Sequence, residues 1–138
     1  MKVAPIKNDD HDIFAREILS RLGDRWSVLT IHMIDGGSIR FTDLKRKIAR
    51  VRPISSRVLT RTLKQLERDG LISRKVFAVV AARVEYRLTG LGERFLKFAR
   101  AILDWTAESR ADFETARATF EASSAVMSGA AQPIEHGR

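Results

Sequence analysis

The sequence changes its period at Gly70. Before it, "RPISSRVLTRTLKQLERDG" places Leu59, Leu63 and Leu66 at i, i+4 and i+7, with Val58 beside them. That spacing predicts a helix with one apolar face. Ser55 or Ser56 can cap it, and Gly70 is placed to end it. After Gly70, "LISRKVF" and "RVEYRLT" are short and rich in β-branched or aromatic residues, as strands are. Val84, Tyr86 and Leu88 alternate with Glu85 and Arg87. The link "AVVAA" contains no Gly, Pro or Asn, so the hairpin is expected to have a longer tip than a two-residue turn. A helix that leads straight into a two-stranded hairpin leaves few topologies open.

The upstream chain supplies the rest. "DIFAREILSRLG" reads as a helix from Asp12, which can accept first-turn N–H groups. Ile13, Phe14, Ile18 and Leu22 supply its apolar contacts, and Gly23 stops it. A second helix follows in "DRWSVLTIHMIDGG", with Asp24 as cap and Trp26, Leu29 and Met33 at i, i+3 and i+7. "SIRF" allows only a small strand. "FTDLKRKIARV" has Phe41, Leu44 and Ile48 at helical spacing, and Pro53 forces that helix to end by Arg52. After the hairpin, Thr89 caps one long last helix, in which Phe95, Phe98, Ile102, Trp105, Phe113 and Phe120 recur.

This order makes the fold α+β and mostly helical, a winged helix-turn-helix whose recognition helix precedes the hairpin. Residues 1–9 read as a flexible arm, residues 10–122 as the domain, and residues 123–138 as a disordered tail.

Charge points to the partner. The net charge is +8 over 138 residues, but it is not spread evenly. Residues 40–100 carry a net +12, whereas residues 1–39 carry −1 and residues 101–138 carry −3. Self-repulsion opposes such concentration unless a polyanion balances it, so nucleic acid is the expected partner. There are no cysteines, which removes disulfides, thiolate metal sites and thiol redox sensing. No apolar run approaches the roughly 20 residues that span a bilayer. The start "MKVAPIKNDDHD" turns acidic where a signal peptide would turn apolar, so a cytoplasmic location is expected.

Three stretches resemble the HxlR-type branch of the MarR-like winged-helix bacterial transcription regulators: "LGDRWSVLTIHMIDGGSIRFTDLKRKI", "ISSRVLTRTLKQLERDGLISRKVF" and "RVEYRLTGLGERF". They run in family order and cover about residues 18–105. The resemblance implies a DNA-binding homodimer paired through its terminal helices. Three departures stand out. Family members commonly carry a cysteine near the first helix, and this chain has none. Many have a Pro pair where this chain has Ala81–Ala82. The chain after Trp105 also exceeds the usual short ending.

The candidate DNA-binding residues follow from position. Arg57 and Arg61 suit base readout, because Arg can bond guanine O6 and N7 together. Ser55, Ser56, Thr60 and Lys64 share the helix face or its N-terminus and suit bases or phosphates. Arg40, Thr42, Lys45 and Arg46 lie around the third helix as phosphate contacts. The wing offers Arg74, Lys75, Arg83 and Arg87. Alternation separates Arg74 from Lys75, Arg83 near the tip suits the minor groove, and Arg87 could instead pair with Glu85. Arg68, nearer the far end of the recognition helix, falls outside this set. Phe14, Ile18, Phe98, Ile102 and Trp105 are the candidate dimer interface.

Other chemistry has little support. Ser27, His32 and Asp35 are close in sequence, but helical spacing does not bring Ser27 and His32 together. His32 reads as a partly buried helix residue. The three histidines lack metal-ligand spacing. No phosphate-binding loop or nucleotide fingerprint is present, so neither an enzyme nor a cofactor is expected. A small-molecule effector could lie near Trp26, Phe98 or Trp105, although such spacing also suits a plain core. A protein-interaction module without DNA binding is the alternative. It is disfavoured because such modules lose the basic character that this helix and wing retain.

Overall fold

Nine elements follow one another in the structure, a computed structural model that describes residues 10–130. The helices α1 (Asp10–Gly23) and α2 (Ser27–Ile34) precede a two-residue strand, β1 (Ile39–Arg40). Next come α3 (Phe41–Ala49), α4 (Ser56–Arg68) and the strands β2 (Ile72–Phe77) and β3 (Arg83–Leu88). Two helices, α5 (Gly90–Glu108) and α6 (Arg110–Ala130), complete the described chain. The three strands form an antiparallel sheet in the order β1-β3-β2. This is the winged helix-turn-helix order.

Local chemistry sets the boundaries. Trp26, rather than the expected Asp24, holds the N-cap position of α2, and Asp24 two residues earlier accepts the N–H of Ser27 through Oδ2 at 3.0 Å and also its hydroxyl. Ser55 Oγ accepts the N–H of Val58 at 3.1 Å and caps α4. Gly70, at φ +75°, turns the chain out of α4 in a conformation that side chains disfavour. Thr89 Oγ1 accepts the N–H of Gly92 at 3.0 Å and donates to the Gly70 carbonyl. One hydroxyl thus caps α5 and ties it to the end of α4.

The core lies between the helices and the sheet. Ile31 and Ile34 of α2, Leu44 and Ile48 of α3, and Leu59, Leu63 and Leu66 of α4 are fully or almost fully buried. Ile72, Tyr86 and Leu88 close it from the sheet. Each such side chain contributes roughly 1.5–3 kcal/mol by leaving water. Gly92 fixes how closely α5 approaches, since a Cβ there would lie 1.9 Å from the Leu71 carbonyl oxygen.

The described chain divides into two compact units, one up to Ala99 and one from Arg100. In the second, Trp105 and Phe113 meet edge to face, with ring centroids 5.6 Å apart.

The structure corrects four further expectations. Helix α1 begins at Asp10, so Asp12 lies inside its first turn and pairs with Arg16 at 3.1 Å rather than capping it. The last helix is two helices divided at Ser109. Serine competes with backbone hydrogen bonding inside helices, and Asp112 suits the first turn of a new one. Helix α6 also continues past residue 122 to Ala130, through a stretch that holds no proline and includes the helix formers Ala125 and Met127. The expected tail is therefore helical over residues 123–130. Its remainder, residues 131–138, and the arm of residues 1–9 lie outside the described residues. Finally, His32 is exposed rather than partly buried.

Candidate nucleic-acid interface

Helix α4 separates apolar from basic side chains. Leu59, Thr62, Leu63 and Leu66 are buried, and Thr62 donates its hydroxyl to the Val58 carbonyl at 2.9 Å. Arg57, Thr60, Arg61 and Lys64 are exposed on the other side. With Ser56 they line one open concavity of about 440 Å³. Lys45 Nζ donates to Ser56 Oγ at 2.9 Å, which joins α3 to this face. Arg57, Arg61 and Lys64 form no ion pair among the described residues, and the first acid of α4 is Glu67. One carboxylate, Asp24, lines a concavity with Arg61 and Lys64, so the face is basic with a single acid at its edge. Ser55 is committed as an acceptor to its cap, although its hydroxyl hydrogen remains a donor.

The wing forms a second group. The register pairs Phe77 with Arg83, Lys75 with Glu85, and Arg40 with Glu85 across β3. Directly paired residues share a sheet face. Arg40, Lys75, Arg83 and Arg87 therefore share the face opposite Tyr86 and Leu88, and Arg74 falls on the other. Phe77 sits between two cations, with the Arg83 guanidinium 4.4 Å and Lys75 Nζ 5.0 Å from its ring centre. Arg40, Thr42 and Arg83 line one concavity with Ala81 and Ala82. Arg87 is set apart at the other end of β3, near Asp35, Gly37 and Glu93, and no ion pair joins it to Glu85. Arg46 is exposed and pairs with Asp43 at 3.3 Å, a weak contact in water.

Three further cations lie outside the expected set. Arg25 and Arg52 lie over the Trp26 ring at 6.0 and 5.8 Å. Arg68 lines a concavity with Trp26, Arg61, Lys64 and Gln65. The helical period places Arg68 seven residues after Arg61 on the same stripe, and only its position near the far end of α4 set it aside. Nothing in the sequence links Arg25 to Arg52.

Elsewhere, Ser27 is fully buried and bonded to Asp24, which leaves the Ser27, His32 and Asp35 set without an exposed nucleophile. Among the described residues, no three His, Asp or Glu side chains are grouped to hold a metal. No described helix is long and apolar enough to cross a membrane. Of the expected dimer residues, Phe14, Phe98 and Trp105 are about half exposed or more, and Ile18 and Ile102 are half-buried. Trp26 faces the basic side chains of α4 rather than an enclosed apolar pocket.

Known proteins share this arrangement. The family described as HxlR-like helix-turn-helix matches residues 21–113. The HTH-type transcriptional regulator YtfH of Escherichia coli (strain K12), itself described as uncharacterized, is 41% identical over 91 residues, which are 66% of this chain and 70% of that protein. An uncharacterized HTH-type regulator of Methanothermobacter thermautotrophicus is 36% identical over 98 residues, 70% and 72% of the two chains. The solved structure of the reduced transcriptional regulator YodB from B. subtilis superposes with a TM-score of 0.61 at 27% identity, covering 76% of this chain and 92% of that one. With the basic helix and wing already in place, these matches show that the chain belongs to the HxlR-like helix-turn-helix family and is a DNA-binding transcriptional regulator.

Proposed function

We propose that the chain regulates transcription as a homodimer that places the N-terminal half of α4 in the major groove. The supporting observation is the exposed basic face of Arg57, Arg61 and Lys64, opposite a buried and mostly apolar one. Arg57 and Arg61 read base edges, with about 1–3 kcal/mol of discrimination for each well-placed bidentate contact. Ser55, Ser56, Thr60 and Lys64 hold bases or phosphates beside them. Arg40, Thr42, Lys45 and Arg46 contact phosphates.

Arg83, stacked on Phe77, enters the minor groove from the wing, with Lys75 along the backbone. Arg74 and Arg87 are the weakest members of the set, because the register and the position on β3 separate them from Arg83. Phe14, Ile18, Phe98, Ile102 and Trp105 join the two subunits. The reading assigns no catalytic role and no cofactor, and a chromosomal target implies a cytoplasmic protein.

Binding-site selection with Arg57→Ala tests the reading. Loss of preference at one base position supports base readout, and uniform weakening across sequences limits Arg57 to phosphates.

A further inference from the structure

Helix α6 carries a pattern the DNA-binding fold does not use. The family match ends at residue 113, and α6 runs Arg110–Ala130. Phe113, Phe120 and Met127 recur every seven residues along it and are 41%, 72% and 72% exposed. Ala116 and Ser123 stand three residues after the first two. Apolar residues repeated every seven positions keep a single seam on one side of a helix, the pattern by which two helices pair.

Charge identifies the second helix. With Phe113 at a, Asp112 falls at g and Arg117 at e. In a parallel, in-register pair of identical helices, each g residue faces the e residue of the following heptad on the other helix. Asp112 of each copy would then face Arg117 of the other, twice by symmetry. Neither residue has an ion pair within the chain among the described residues, whereas neighbouring Arg110 is held by Glu114 at 2.8 Å. An antiparallel pair would set e against e and g against g and lose this match.

We infer that α6 forms a parallel, in-register coiled coil with α6 of a second copy of this chain. The inference rests on the homodimer reading, because three apolar layers are too few to hold two chains together alone. It adds a contact outside the matched DNA-binding region.

The chain has no cysteine, so single cysteines report the pairing cleanly. Full-length Ala116→Cys, Ser123→Cys and Ala118→Cys variants are oxidised with oxidised glutathione and run on non-reducing gels, beside sedimentation of the unmodified protein. Positions 116 and 123 face the seam, and position 118 faces away from it. Rapid disulfide-linked dimers at both 116 and 123, with crosslinking at 118 about tenfold slower or less, are expected. Phe120→Glu should raise the dimer dissociation constant by about tenfold or more. Crosslinking at only one seam position overturns the parallel register. Absence of seam crosslinks in a protein that sediments as a dimer overturns α6 pairing and leaves the homodimer intact. A monomer at micromolar concentration overturns both.

Discussion

Arg21 of α1 donates through Nε to Asp69 Oδ2 at 3.0 Å, and each side chain is only 10% exposed. Asp69 is the C-terminal cap of α4, where a negative charge is unfavourable against the helix dipole. Arg21 offsets that charge. The Gln65 amide, with its oxygen turned toward Arg21, accepts from Nη1 and Nη2 at 3.2 and 3.1 Å. One guanidinium of the first helix therefore grips the last two turns of α4.

Removing one partner leaves the other charge poorly solvated, which costs about 3 kcal/mol at such sites. Arg21→Ala is expected to lower unfolding free energy by about that amount in urea titration. Pairing it with Asp69→Ala should cost clearly less than the two single losses together, because the residues share one contact.

Gly92→Ala is expected to destabilise the protein by about 3 kcal/mol or more, a size reserved for clashes and cavities that cannot relax. The added Cβ would strike the Leu71 carbonyl, which also accepts the Thr89 N–H at 3.1 Å. Backbone held by the sheet junction cannot move aside cheaply. Gly129→Ala meets nothing within 4 Å and serves as the control in the same denaturation series.

Arg68 shares a concavity with Trp26, Arg61 and Lys64. Arg68→Ala is expected to weaken binding to every DNA sequence alike. It should flatten the salt dependence by about one unit of slope, as loss of one phosphate contact does. An unchanged slope in filter binding between low and moderate salt would remove Arg68 from the contact surface.

At the wing tip, Ala81 adopts φ +65°, a conformation that costs a non-glycine residue about 1 kcal/mol. Ala81→Gly should therefore leave the fold and affinity intact. Ala81→Pro cannot reach this φ and should disturb the tip, with an affinity loss that shifts in hairpin amide resonances would locate.

Legibility in the sequence tracked the range of the interaction. Helix α4 was readable because Leu59, Leu63 and Leu66 repeat within three turns, and the hairpin because Val84, Tyr86 and Leu88 alternate. The caps at Ser55 and Thr89 lie three residues before the N–H groups they accept, and Asp24 likewise reaches Ser27 three residues on. The break at Ser109 was hidden because its neighbours favour helix on both sides. The helical end of α6 was hidden because Ser123, Ser124, Ser128 and Gly129 are poor helix formers. Long-range pairs gave no local sign. Arg21 and Asp69 are 48 positions apart, and the two cations over Trp26 come from the link before α2 and the link before α4. Part of the candidate site, the basic stripe of α4, followed from helical spacing. The split between Arg83 and Arg87 required the strand's position against α2.

The two tryptophans occupy different units of the chain. Trp26 lies beneath two guanidinium groups beside the basic face of α4, and Trp105 rests against Phe113, half exposed. Intrinsic fluorescence thus carries two separable colours of information. Quenching or a spectral shift at Trp26 reports on a polyanion arriving, and a blue shift at Trp105 reports on water leaving the second unit. With Trp26→Phe and Trp105→Phe as blanks, one cuvette follows both events without an added label.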